Sequence, residues 1–254
     1  MKRLFIAFTA MTLLSLSACK DEPFDVARVK GSELLTKNDF AGAAEQYEKS
    51  LELKPDQDVK VWDRAAFANM KAGKYDRAAE LLEKSLDRRP EQAAKSECLR
   101  NIAGMYMQQA GDSTNAEKYF QKAVVLDPKD EQALAWLAEI SSQRGGARQQ
   151  TAEAQPEHLK VALERYDAVI AVNPNKPDTY INKRIVLVKY IEHLKKQKLS
   201  ILADAENQKA DKEAYADMQQ QAVDTQTRID ELMGLLDATT KKLGEVMKAA
   251  KAAK

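Results

Sequence analysis

Four similar segments that each end in proline recur along this chain. They read AAEQYEKSLELKP, AAELLEKSLDRRP, AEKYFQKAVVLDP and ALERYDAVIAVNP, and they end at Pro55, Pro90, Pro128 and Pro174. Because the residue before a proline is disfavoured in the helical region, each segment predicts a helix that stops there. The spacings of 35, 38 and 46 residues indicate one helical unit that is used several times. Such units share a core with their neighbours.

Small and large residues alternate within each unit at helical spacing. In the first unit we expect Gly31 and Ala43 to let two helices approach closely, while Tyr47 fills the adjoining gap. The corresponding small residues of the next two units are Ala66, Ala78, Gly104 and Ala116, and the large ones are Leu82 and Phe120. The pattern predicts an all-α fold built from helix pairs.

This arrangement resembles the tetratricopeptide repeat, in which W-x2-L-G-x2-Y, A-x3-F and P recur over about 34 residues. The chain departs from that pattern at Asn69, where the family has tyrosine, and at Arg100, where it has tryptophan. The resemblance implies an α-solenoid of about four repeats over residues 25–190.

The fourth unit is longer than the others. Its additional residues separate a helix that contains Leu134 and Leu137 from a helix over residues 162–172. We therefore predict an inserted loop at residues 144–157, with Pro156 in the first turn of the next helix. Loops of this length are either functional or tolerated at small entropic cost, and the sequence leaves both open.

Residues 191–254 are predicted to form a long helical C-terminal extension. One helical seam there collects Tyr215, Met218, Ala222, Thr225, Ile229, Leu232, Leu236, Thr239, Leu243, Val246, Ala250 and Ala253. The seam is compatible with a hairpin against residues 190–202, with self-association through residues 215–253, or with a helix of another protein. We favour the helical hairpin, because an exposed seam of this length would promote unwanted association.

The first residues resemble the precursor of a bacterial lipoprotein. Lys2 and Arg3 precede an apolar run that is too short for a permanent membrane span, and Leu16-Ser17-Ala18-Cys19 resembles a lipobox. The resemblance implies a cleaved signal peptide at residues 1–18 and a lipidated tether at residues 19–24.

Lipidation of Cys19 by diacylglycerol and palmitate would anchor the chain to a membrane. Two or three acyl chains hold a protein far more firmly than one. Lys20 follows the cysteine, in place of the aspartate that retains enteric lipoproteins at the inner membrane. The resemblance therefore implies a cell-envelope protein in the outer membrane that faces the periplasm.

No combination of residues predicts an enzyme, a metal site or a cofactor site. His158 and His193 have no cysteine at metal-ligand spacing, and no glycine-rich phosphate loop occurs. The net charge of +1 disfavours nucleic acid as a partner. We therefore expect a non-catalytic protein without cofactors.

The repeat resemblance implies that the first helix of each unit lines a groove that binds partners. By this register the lining comprises Arg28, Ser32, Leu35, Lys60, Asp63, Phe67, Met70, Lys71, Asn101, Met105 and Gln108. Methionines suit an adaptable surface, so we expect a helix or an extended peptide of a protein partner. Ser32 replaces the asparagine of the family members that clamp a C-terminal carboxylate, so we predict no such clamp.

These features favour a membrane-anchored adaptor that binds a protein partner during assembly of an envelope complex. One alternative is a pilotin-like lipoprotein, since pilotins of type IV pili are lipidated repeat proteins that assist secretin assembly. Two further alternatives are an accessory subunit that recruits cell-wall enzymes and a structural oligomer organised by the C-terminal coil.

Overall fold

The computed structural model describes residues 22–149 and 151–252, and its regular structure there is entirely helical. The helices are α1 (Pro23–Thr36), α2 (Phe40–Leu53), α3 (Val59–Lys71), α4 (Tyr75–Lys84), α5 (Gln92–Met105), α6 (Ser113–Leu126), α7 (Glu131–Arg144), α8 (Pro156–Val172), α9 (Pro177–Asn207) and α10 (Lys212–Ala252). The predicted all-α class is confirmed. The predicted signal peptide and Cys19 lie outside the described residues.

The chain divides into two compact units, one that ends at Ala72 and one that begins at Gly73. In the first unit α1 and α2 pack as a pair, with Gly31 of α1 facing the ring of Tyr47 in α2. Asp39 caps α2, since its Oδ1 accepts a hydrogen bond from Gly42 N at 2.9 Å. The predicted pairing of small and large side chains is present here.

The predicted tether overlaps the start of α1. Pro23 occupies the first turn of that helix, where its missing N–H costs nothing. The backbone oxygen of Phe24 accepts a hydrogen bond from Ser50 Oγ at 2.7 Å, and Lys54 Nζ lies 4.4 Å from the centre of the Phe24 ring. Residues 23 and 24 are therefore part of the folded unit and correct the predicted tether of residues 19–24.

The second unit contains the helix pairs α5–α6, α7–α8 and α9–α10. The helical stretch of α5 continues through a π-helical turn, Tyr106–Ala110, which ends at Gly111 with φ +68°. The ring of Tyr106 stacks on Tyr119 at 5.7 Å, and Phe120 stacks on Trp136 at 5.9 Å. Phe120 fills the space between neighbouring helices, as the small-and-large pattern predicts, whereas the Tyr106, Tyr119 and Trp136 rings are not part of that pattern.

Arg100, which departs from the repeat pattern, has a polar partner. Its Nε lies 3.0 Å from Oδ2 of Asp130, which also accepts a hydrogen bond from Ser96 Oγ at 2.7 Å. The other oxygen of Asp130 caps α7 by accepting from Ala133 N. A buried carboxylate that joins two helices thus replaces the aromatic contact of the repeat pattern.

The last two helices form an antiparallel hairpin. Ile229 and Leu232 of α10 pack against Val186, Leu187 and the residues that follow in α9. Further along α10, Leu243 and Val246 reach back to Tyr180, near the start of α9. Of the three arrangements that the sequence allows for the seam, the structure therefore shows the hairpin. It buries the seam residues Ala222, Ile229, Leu232, Thr239, Leu243 and Val246.

The hairpin is also more extensive than predicted. The boundary expected at residue 190 falls inside α9, which is one continuous helix from Pro177 to Asn207. None of the helices that the structure describes has the long apolar stretch that crossing a bilayer requires.

Candidate functional site

An exposed aromatic side chain on α3 is the most prominent feature of the predicted lining residues. Phe67 is 44% exposed, although Trp62, Ala65 and Ala66 of the same helix are buried. Lys71 lies one turn further on and places its Nζ 5.6 Å from the centre of the Phe67 ring. Phe67 therefore lies on the side of α3 that faces away from its buried residues.

Other predicted lining residues of the first unit share this partial exposure. On α3, Lys60 and Lys71 are exposed, while Asp63 and Met70 are half-buried. On α1, Arg28, Ser32 and Leu35 are half-buried. Arg28 forms an ion pair with Asp25 at 2.7 Å, which orients its guanidinium along α1. On their two helices, these residues offer both apolar and charged side chains.

The second unit carries the remaining predicted lining residues. Asn101 and Gln108 are exposed, but Met105 is only 5% exposed. Met105 lies three residues after the fully buried Ile102 and therefore shares the core-facing side of α5. Met105 is a core residue, and its assignment to the partner groove is corrected.

The structure also reveals a groove that the repeat pattern does not predict. In the second unit, a cavity of about 380 Å³ lies between the inserted loop and α9. Ile181, Arg184 and Val188 contribute its α9 wall, and Arg148 contributes from the loop. The spacing of Ile181, Ile185 and Val188 along one helical face, close to an insertion, is the sequence signal that could have revealed it.

Two tyrosines with shifted pKa values, Tyr119 and Tyr106, lie in packing contacts. Burial raises the pKa of the Tyr119 hydroxyl to about 12, with the nearby Glu83 carboxylate adding to the effect. Burial and a hydrogen bond to Asp76 likewise raise the pKa of Tyr106. These tyrosines stay neutral at physiological pH and serve structure. The part of the chain that the structure describes contains no cluster of three or more His, Cys, Asp or Glu suited to a metal ion.

Comparisons with known proteins agree with this architecture. Residues 29–57 and residues 64–131 each match a tetratricopeptide repeat family. No curated protein matches the sequence of this chain.

Among solved structures, a TPR repeats protein from Bacteroides fragilis is similar over 91% of this chain and 99% of its own, with 15% identity and a TM-score of 0.61. The MamA protein covers 75% of this chain and 96% of its own, with 20% identity and a TM-score of 0.45. YrrB, a TPR protein with an unusual peptide-binding site, covers 85% of this chain and 90% of its own, with 19% identity and a TM-score of 0.42. The chain therefore carries tetratricopeptide repeats at residues 29–57 and 64–131, and its fold class is that of the all-α tetratricopeptide-repeat proteins.

Proposed function

We propose that this protein is a lipid-anchored adaptor that binds a protein partner in the bacterial envelope and assists assembly of an envelope complex. Its binding surface in the first unit is the α1/α3 face, which we define as Arg28, Ser32, Leu35, Lys60, Asp63, Phe67, Met70 and Lys71. The observation that carries the proposal is the exposed ring of Phe67 on a helix that is otherwise well packed.

The chemistry of this face suits a polypeptide. Aromatic side chains dominate the energetics of protein interfaces, because they bury a large apolar area at small entropic cost. Phe67 offers such an anchor, and Met70 beside it can adapt to the shape of a partner. Lys71 can exchange its contact with the ring for a carboxylate of the partner. The face therefore favours a segment that presents an apolar side chain next to an acidic one.

Site-specific crosslinking in cells tests the proposed surface. A photoreactive amino acid replaces Phe67 in the full chain, and a matched variant carries it at Leu53, which is 52% exposed at the end of α2. We expect a discrete crosslinked species from position 67 that position 53 does not give. The same species from both positions, or none from position 67, would contradict the assignment of the α1/α3 face.

The anchor is proposed from the lipobox resemblance of Leu16-Ser17-Ala18-Cys19. Acyl chains on Cys19 would confine the adaptor to a membrane surface and raise the local concentration of its partner there. We place it in the outer membrane, facing the periplasm. If the crosslinked partner is a secretin, the same experiment supports the pilotin-like role.

A further inference from the structure

The inserted loop is a packed part of the second unit. Ala147 and Ala154, which lie towards its two ends, are buried in the same core cluster as Leu159 and Tyr166. A β-carbon on Gly145 would lie 2.6 Å from Cδ2 of Leu159, so a larger residue there would force the buried Leu159 side chain to move. The two ends of the loop therefore hold defined positions against the core.

A lysine of α9 fixes the middle of the loop. Lys189 Nζ donates hydrogen bonds to the backbone oxygens of Gln149 and Ala152 at 2.7 and 2.8 Å. Arg148 also reaches α9, donating to Asn182 Oδ1 at 2.8 Å. These contacts run from the loop to α9 and make the loop one wall of the cavity described above. We call this cavity the insertion groove.

The floor of the insertion groove is apolar. Ile181 and Val188 are 40% and 42% exposed, and Ile185 lies between them on the same face of α9. These three side chains form a stripe of about 10 Å along the helix. An extended polypeptide covers that length with about three residues. The stripe matches a short apolar segment of a partner.

The rim of the insertion groove carries an excess of positive charge. Arg148, Arg184 and Lys189 line it, together with one carboxylate, Glu192. Glu139 pairs with Arg148 at 3.3 Å, so the excess charge belongs to Arg184 and Lys189. Arg184 has no acidic partner among the described residues, and its Nε is buried without a hydrogen-bond acceptor there. The Arg184 side chain is half-buried in the groove lining, and because no carboxylate of the described residues balances its charge, the guanidinium is complementary to an acidic ligand.

We propose that the insertion groove binds a short extended segment of a partner protein in which an aspartate or glutamate is flanked by apolar residues. The carboxylate side chain accepts hydrogen bonds from Arg184, and the apolar side chains cover Ile181 and Val188. This inference rests on the proposed adaptor function and adds a second contact site, which is separate from the α1/α3 face.

The probe is a displayed library of random nonapeptides, selected against the full chain. We expect enriched sequences that contain an acidic residue between apolar ones. A synthetic peptide of the enriched sequence should bind Arg184→Glu at least about tenfold more weakly than the unmodified chain, the loss expected for one hydrogen bond to a charged group. Val188→Ser should weaken the same peptide through the apolar contact. Enrichment of peptides without acidic residues would overturn the proposal.

Two controls distinguish binding in the insertion groove from charge attraction elsewhere on the chain and from binding at the α1/α3 face. Lys160→Glu makes the same change of charge at an exposed position of α8 and should leave peptide affinity unchanged. Phe67→Ala should also leave the peptide affinity unchanged, because Phe67 belongs to the α1/α3 face. A failure of the proposed α1/α3 face can therefore be told apart from a failure of the insertion groove. Arg184→Glu should retain the helical circular dichroism of the unmodified chain. Equal weakening by Arg184→Glu and Lys160→Glu would contradict the groove and indicate a general charge effect.

Discussion

A β-carbon on Gly31 would lie 3.0 Å from Cδ2 of Tyr47, a ring that is completely buried between α1 and α2. At this distance the ring would have to move, and close packing around it leaves little room. Gly31 is therefore required by the approach of the two helices. Local helix propensity alone would favour alanine at this position.

The first prediction is that Gly31→Ala destabilises the first unit by about 1 kcal/mol. Helix propensity favours alanine by about 1 kcal/mol, but overpacking a filled core costs about 1–3 kcal/mol. The unfavourable term is expected to exceed the favourable one because Tyr47 cannot rotate away from the new methyl group. Urea unfolding monitored by circular dichroism measures the difference.

Gly104→Ala is the matched control for this prediction. Gly104 also lies inside a helix, but apart from its chain neighbours and the nearby backbone of its own helix, no described atom comes within 4 Å of its β-carbon position. Alanine there should raise the free energy of unfolding by up to about 1 kcal/mol. If Gly31→Ala stabilised the chain as much as Gly104→Ala, the close contact with Tyr47 would be refuted.

The second prediction concerns two phenylalanines with different surroundings. Phe120 is 2% exposed and stacks on Trp136, so Phe120→Ala should cost about 3–5 kcal/mol of stability. Phe67 is 44% exposed, so Phe67→Ala should cost less than about 1 kcal/mol. Thermal unfolding of both variants measures the contrast. Equal losses would show that Phe67 belongs to the core and would remove the anchor of the α1/α3 face.

The sequence predicts the helix pairs well because their packing depends on local spacing. Gly31 and Tyr47 follow the small-and-large pattern directly. Gly104 fits the same pattern but meets open space, since sequence spacing does not reveal how far away the partner helix lies. Alignment with the repeat pattern predicts that Met105 lines the partner groove. In the structure Met105 is buried on the same side of α5 as Ile102. The insertion groove depends on contacts between Lys189 and a loop about 40 residues away, which no local pattern encodes.

The third prediction is a pH dependence that originates at Glu117. Burial alone would raise the pKa of this carboxyl, but Arg165 and Arg144 outweigh it and hold the pKa below its ordinary value of 4.5. Arg165 lies 2.7 Å from Glu117 Oε1, and Arg144 pairs with Oε2. The resulting contact joins α6, α7 and α8.

Because its folded pKa is lowered, Glu117 stabilises the fold fully above the unfolded pKa and loses this effect as pH falls through the folded pKa. Glu117→Gln should therefore cost about 1–3 kcal/mol at neutral pH, and the difference from the unmodified chain should shrink below about pH 4.5. Urea unfolding at several pH values measures this. Glu80→Gln, at an exposed pair on α4, should show little effect at any pH. A pH-independent loss for Glu117→Gln would argue against the ion pairs.

The fourth prediction tests whether the seam of α10 is satisfied within one chain. Ile229 is 1% exposed in the hairpin, and Ile229→Ala should cost about 2–5 kcal/mol. Val223 of the same helix is 57% exposed, so Val223→Ala should change stability little. The unfolding midpoint of the unmodified chain should not depend on protein concentration. A midpoint that rises with concentration would favour self-association through residues 215–253.

The fifth prediction is that fatty acid is attached at Cys19. Cells supplied with an alkyne-labelled palmitate should incorporate it into the unmodified protein if the Leu16-Ser17-Ala18-Cys19 segment acts as the lipobox that it resembles. Cys19→Ser removes the sulfur that carries the diacylglycerol and should abolish labelling. Ser17→Ala is the matched control, since it changes the same segment but keeps the thiol and the small-residue character, and it should retain labelling. The intact mass of the purified protein should show loss of residues 1–18 and the added acyl chains together. Label in Cys19→Ser, or an unacylated mature protein, would contradict the anchor and leave the adaptor without its proposed attachment to the membrane.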